Sequence, residues 1–158
     1  MTAKEAKEYL RNHAPLPSEL ETDIEYLENL SLCLEALSGY QDVELVPLAF
    51  DSLPIDGYRF VGQGLSGLFD AQPEELVKTE VLKRLNSDAD YIREFAAEVS
   101  MSFPDERYLP CFKSILDSEK SNPSLVDFVV ASLEVHIDDL QLAKAATILE
   151  SSYNENPM

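Results

Sequence analysis

The sequence predicts an all-α protein, a short irregular α-solenoid of stacked antiparallel helix pairs. Three observations carry that expectation. Apolar residues recur at three- and four-residue spacing along most of the chain, the period of one helix face. Prolines and short polar or acidic residues punctuate those runs where helices start and stop. Three blocks, opened by Asp56, Asp88 and Asn122, resemble one another at spacings of 32 and 34 residues. At 158 residues the chain is read as a single domain over residues 1–153. N-terminal helices are expected within 3–38, a repeat-like core over 42–136 and a C-terminal helix over 138–153, with a frayed tail at 154–158.

The first helix is expected over residues 3–12, with Ala6, Tyr9 and Leu10 inward. Ala14-Pro15-Leu16-Pro17 ends it, because each proline disfavours helix in the residue before it. Ser18 and Glu21 read as a capping box opening a helix over 18–38. Its inward face is Leu20, Ile24, Leu27, Leu30, Leu34 and Leu37, with Cys33 beside them, and Gly39 is the stop. Residues 42–54 have a helical period interrupted by Pro47, so the helix either begins near that proline or bends there. Residues 56–69 read as a weaker helix, since each glycine costs about 1 kcal/mol relative to alanine, and a strand over 58–61 competes.

Pro73-Glu74-Glu75 opens the next helix, with proline and acids suited to a first turn. The helix over 88–101 takes its cap from Ser87 or Asp88 and gathers Ile92, Phe95, Ala96 and Val99 on one face. Arg93, beside that face, is placed to pair with a carboxylate of a neighbouring turn or helix. Phe103-Pro104-Asp105 breaks the helix, and residues 106–116 form another with Pro110 inside it. Ser121-Asn122-Pro123 turns the chain into a helix carrying Leu125, Val126, Val129, Val130 and Leu133. Asp138-Asp139 is expected to start the last helix.

The repeated blocks share more than their spacing. Four residues after each opening stands Phe60, Ile92 or Val126, and four further Gly64, Ala96 or Val130. The helices before two of them share Val46-Pro47-Leu48 and Leu109-Pro110-Cys111. Paired helices at such a period suggest a solenoid, in which stacking buries faces that one pair alone leaves open. Residues 42–136 resemble HEAT-type repeats, with Asp88, Ile92, Arg93 and Ala96 matching the second-helix pattern position by position. The arginine position holds Val61 in the first block and Asp127 in the third, so the array is expected to be HEAT-like and irregular.

Charge is the most informative part of the composition. Twelve basic residues stand against 30 acidic ones, a net charge of −18. No Lys or Arg lies between Asn12 and Tyr58, and from Ser121 onward the only one is Lys144. Phosphates and anionic membranes would be repelled, so neither nucleic acid nor membrane is an expected partner. A basic protein is, because opposite fields speed encounter. The N-terminus lacks the apolar run of a signal peptide, and no stretch approaches a membrane span, so a cytoplasmic location is expected. Cys33 and Cys111 each lie in an apolar stripe and read as buried thiols.

Few patterns suggest chemistry. Residues 62–67 fit G-x-G-x-x-G, but Pro73 leaves no room for the phosphate-binding helix, and close helix approach explains the glycines. His136 with Asp138 and Asp139 lacks a second spaced His or Cys for a metal, and reads as a surface histidine at a helix junction. No Ser or Cys stands in a nucleophile context with a histidine. The expected protein is therefore not an enzyme and uses no cofactor or metal. In size, charge and helical class it resembles small acidic bacterial toxin-immunity proteins, which bind and occlude a basic toxin domain, often a nuclease. A HEAT-like scaffold or adaptor is the alternative. On the solenoid expectation the second helices line the working surface, giving partner-binding candidates Tyr58, Arg59, Asp90, Tyr91, Glu94, Glu98, Asp127 and Glu134. The two tyrosines could instead cover helix packing, and the acidic outer face of residues 19–35 is the competing surface.

Overall fold

The computed structural model describes residues 1–18, 23–56, 59–118 and 122–155, without the side chains of 59–60 and 153–155. Among the described residues there are nine α-helices, two short 3-10 turns and no strand. The chain forms two compact units, Met1–Val77 and Lys78–Met158.

The first unit holds α1 (Ala3–His13), α2 (Ile24–Leu37), α3 (Leu45–Asp51), α4 (Arg59–Gly67) and the 3-10 turn Leu68–Ala71; α5 (Glu74–Leu85) crosses the boundary. A capping box starts α1: Glu5 N–H donates to Thr2 Oγ1 at 3.1 Å, and Thr2 N–H donates to Glu5 Oε2 at 3.0 Å. Ala6 and Leu10 are buried, and Tyr9 only half-buried. The box expected at Ser18 and Glu21 involves residues 19–21, which lie outside the described residues. The α2 helix begins later, behind Asp23, whose Oδ1 accepts from Tyr26 N–H at 2.8 Å.

Only the later part of the expected inward face of α2 is buried. Leu30, Cys33 and Leu37 are in the core, whereas Ile24 is 75% and Leu27 40% exposed, against expectation. The packing of α2 on α1 is marked by Cys33, whose Sγ lies 3.3 Å from Ala6 O, well past the first turn of α2. Pro47 sits in the first turn of α3, where its missing N–H costs no helical bond, so the helix begins near the proline, at Leu45, rather than bending there. Residues 59–67 are helical, which removes the strand alternative for the described part of 58–61; Tyr58 itself lies outside the described residues. Gly64 explains its own presence: a Cβ there would come 2.6 Å from Leu34 Cδ1, so α4 approaches α2 across a glycine. Gly67 faces open space and has no such role. Buried Gln72 then fastens the loop between α2 and α3. Its side-chain oxygen accepts from Asp42 N–H at 3.0 Å, and its Nε2 donates to Tyr40 O at 2.8 Å.

The second unit holds the rest of α5, α6 (Asp90–Ser100), the 3-10 turn Glu106–Tyr108, α7 (Leu109–Ser118), α8 (Pro123–Leu140) and α9 (Ala143–Glu155). Four expectations are corrected here. The N-cap of α6 is Ala89 without a side-chain bond; Ser87 Oγ is spent one step earlier, on Ala89 N–H at 3.2 Å. Pro110 falls in the first turn of α7, because residues 106–108 form a 3-10 turn instead of continuous α-helix. Asp138 and Asp139 do not open the last helix. They lie in the last turn of α8, which runs on to Leu140 and stops at Gln141 in a left-handed conformation (φ 52°). The last helix starts at Ala143 and includes Asn154 and Glu155, placed in the frayed tail by the sequence reading. The cause is burial: Leu125, Val129, Ser132, Leu133 and His136 continue one inward face, and that outweighs two carboxylates at the negative end of a helix.

The helices α6 and α8 lie side by side and parallel. Near their starts Asn122 Nδ2 donates to Asp90 Oδ2 at 2.9 Å, and further along Ser100 Oγ and Ser132 Oγ are 2.6 Å apart. Both pairs join residues 32 positions apart.

Candidate functional site

The α6 residues expected to meet a partner share one face, since Asp90, Tyr91, Glu94 and Glu98 lie within 100° of one another on a helical period. They are not equally available. Asp90 is exposed but already accepts from Arg93 and from Asn122, so it ties the starts of α6 and α8 together. Arg93 thus finds its carboxylate within its own helix, three residues back. Tyr91, Glu94 and Glu98 are half-buried. On α8, Asp127 and Glu134 are exposed, opposite the buried stripe. Tyr58 and the Arg59 side chain lie outside what is described.

A second acidic surface is more open. On α2 the outward positions Glu25, Glu28, Ser31 and Glu35 are exposed, and Ile24, Leu27 and Leu32 are 75%, 40% and 53% exposed among them. No described Lys or Arg pairs with these three glutamates. The two nearest basic residues in sequence, Lys7 and Arg11, are committed elsewhere. Lys7 Nζ lies 2.6 Å from Asp42 Oδ2 and 2.6 Å from Glu44 Oε2, and Arg11 also pairs with Glu44. Hydrogen bonding to Asp42 and then Glu44 raises the Lys7 ammonium above its usual range, and the same bonds hold both carboxyls below theirs.

The polar centre of the second unit was not expected from the sequence. His136 is fully buried rather than at the surface. Asp105 N–H donates to its Nε2 at 3.0 Å, and its Nδ1 lies 2.7 Å from Ser132 O. Those partners assign the proton to Nδ1, which donates to the carbonyl. The ring meets Tyr108 and Phe112 edge-on at centroid distances of 5.8 and 5.7 Å. Tyr108 O–H donates to Phe103 O at 2.9 Å, and Ser100 Oγ lies 2.5 Å from Ala97 O. A histidine whose nitrogens both serve backbone groups, enclosed by aromatics, holds the turn after α6 against α8. The signal was available: residue 136 continues the spacing of 125, 129, 132 and 133.

Burial pushes the Cys33 thiol up to about 11, and it raises Cys111 as well, although Cys111 is only half-buried. Neither thiol is activated as a nucleophile. Among the described residues no three His, Cys, Asp or Glu side chains gather as metal ligands, and no helix is long and apolar enough to cross a membrane. The fold and surfaces define an all-α chain. It matches no protein-family model, no curated protein and no solved structure.

Proposed function

We propose that this chain is a protein-binding module that neutralises a basic protein partner in the cytoplasm, in the manner of an immunity protein occluding a bacterial toxin's nuclease domain, without catalysis of its own. The observation that supports this most is the outward face of α2. Exposed Glu25, Glu28 and Glu35 alternate there with exposed Ile24, Leu27 and Leu32, within a stretch that has no Lys or Arg. Such a face serves two stages of binding. The carboxylates accelerate and orient the encounter with a basic surface, and the apolar side chains supply area to bury once docked. The acids of α6 and α8 are the competing surface, weaker because Asp90 already has two partners.

A second reading is a HEAT-like scaffold. It is favoured by the parallel α6 and α8, joined by two contacts that each span 32 positions, as equivalent helices of adjacent repeats would be.

The test is capture of basic proteins on the immobilised chain with elution through a salt gradient, repeated with two charge reversals. The expected result is one basic partner held to high salt, lost with Glu25, Glu28 and Glu35 all changed to Lys. Loss only when Asp90, Glu94 and Glu98 are changed to Lys would move the interface to α6. Several partners, each indifferent to salt and to both variants, would sink the neutralising role and favour the scaffold.

A further inference from the structure

The second unit contains a groove of about 530 Å³ between α7 and α9, within the size range of small-molecule sites. Its lining is chemically narrow. Leu109, Pro110, Ala143 and Ile148 supply apolar surface. Thr147 adds little polarity, because its hydroxyl donates to Ala143 O at 3.1 Å within α9. The other polar side chains among the described lining residues are charged and come from both walls: Lys113 of α7, Lys144 of α9 and Glu106 before α7. Two of those three charges are positive in a chain with 12 basic residues against 30 acidic, and Lys144 is the only base after Ser121.

The ion pairs around the groove are easily exchanged. Lys113 Nζ lies 2.8 Å from Asp117 Oδ2 and Lys144 Nζ 3.2 Å from Glu106 Oε1, and all four side chains are exposed. Exposed pairs of this kind hold their partners weakly, so a ligand carboxylate can replace one of them.

We propose that this groove binds an amphiphilic monocarboxylate, with an aliphatic chain along Leu109, Pro110 and Ile148 and the carboxylate at Lys113 and Lys144. The lining selects this class by what it offers. Among the described lining residues there is no aromatic ring to stack a planar ligand, no side-chain amide, and one hydroxyl, Thr147, whose proton is already given to Ala143 O. A polyanion such as a nucleotide is disfavoured by the chain's net charge of −18, whereas a single carboxylate needs only to take the place of Asp117 or Glu106 at one lysine. The site is independent of the protein-binding reading.

The experiment titrates octanoate, decanoate and dodecanoate, each below its micelle concentration, into the full chain by calorimetry and by NMR of the Ile148 methyl. Dodecyltrimethylammonium serves as the cationic counterpart. Affinity is expected to rise about tenfold for each two added methylenes until the groove is filled, with the cation at least tenfold weaker than dodecanoate. Lys113→Gln with Lys144→Gln is expected to erase that preference, and Ile148→Glu to abolish binding while circular dichroism stays unchanged. Equal binding of the cation, no dependence on chain length, or no effect of the lysine changes would each overturn the proposal. If the groove instead seats a second copy, Ile148→Glu alters sedimentation of the unliganded chain and dodecanoate does not bind; that result also overturns it.

Discussion

Replacing His136 with leucine tests whether the buried histidine holds the second unit together. Leucine keeps an apolar side chain in a site closed by Tyr108 and Phe112 but removes both nitrogens. The bond from Nδ1 to Ser132 O is worth about 1 kcal/mol net. The larger loss is on the other side, where Asp105 N–H would face a hydrocarbon, a penalty of about 1–3 kcal/mol. The expected destabilisation is therefore about 2–4 kcal/mol, or roughly 6–12 °C in Tm for a chain of this size. His136→Gln separates this from simple packing, because the amide oxygen of glutamine reaches as far as Nε2 and can accept from Asp105 N–H. Urea unfolding followed by circular dichroism, with equal slopes for all three proteins, provides the comparison. Glutamine is expected to recover at least 1 kcal/mol relative to leucine. A leucine variant as stable as the glutamine variant would show that the Asp105 bond contributes nothing, and the account of His136 as the clamp on the turn after α6 would fail.

Two further perturbations probe the first unit. Gly67→Ala is expected to stabilise by about 0.5–1 kcal/mol, since the new methyl enters open space on a helix. Gly64→Ala must push Leu34 aside and is expected to forfeit that gain; thermal unfolding in which Gly64→Ala gains as much as Gly67→Ala would refute the close approach of α2 and α4. The Lys7–Asp42 pair, worth less than about 1 kcal/mol, has a pH signature. Asp42, held below its ordinary 3.8, contributes stability above that value and loses it as pH falls through its folded value. Lys7, raised above 10.5, contributes fully below that value and loses it as pH rises through its folded value. The stability gap between the natural chain and Lys7→Met should be flat between those limits and close at both ends, so a gap that persists in strong acid would contradict the assignment.

The helices were legible because their signals are local. Period, proline and capping residues mark eight or more residues at a time, and they identified the helical segments, including the glycine-containing α4. The errors sit where a tertiary contact decides. Asp138-Asp139 has the composition of a helix start, yet burial of His136 two residues earlier carries α8 through it. Ile24 and Leu27 fit the inward period of α2, yet they are exposed, while Cys33 further along meets α1. The T-x-x-E box at Thr2 and Glu5 was visible and passed over, while Ser18 and Glu21, of the same form, were read as the start of α2.

The same distinction applies to the surfaces. Counting acids along the chain finds both the α2 face and the α6–α8 face, because formal charge is a property of sequence. Availability is not. Asp90 is held by Arg93 in its own helix and by Asn122, 32 residues away, and only the second of those bonds depends on the fold. The α2 glutamates are left open by the fold in the same way: the nearest preceding cations, Lys7 and Arg11, are brought to Asp42 and Glu44, more than 30 positions away. Of two helices with three acids each, α2 has no base of its own and its neighbouring cations are already spent, whereas α6 contains Arg93, so α2 is the one left to attract a basic partner.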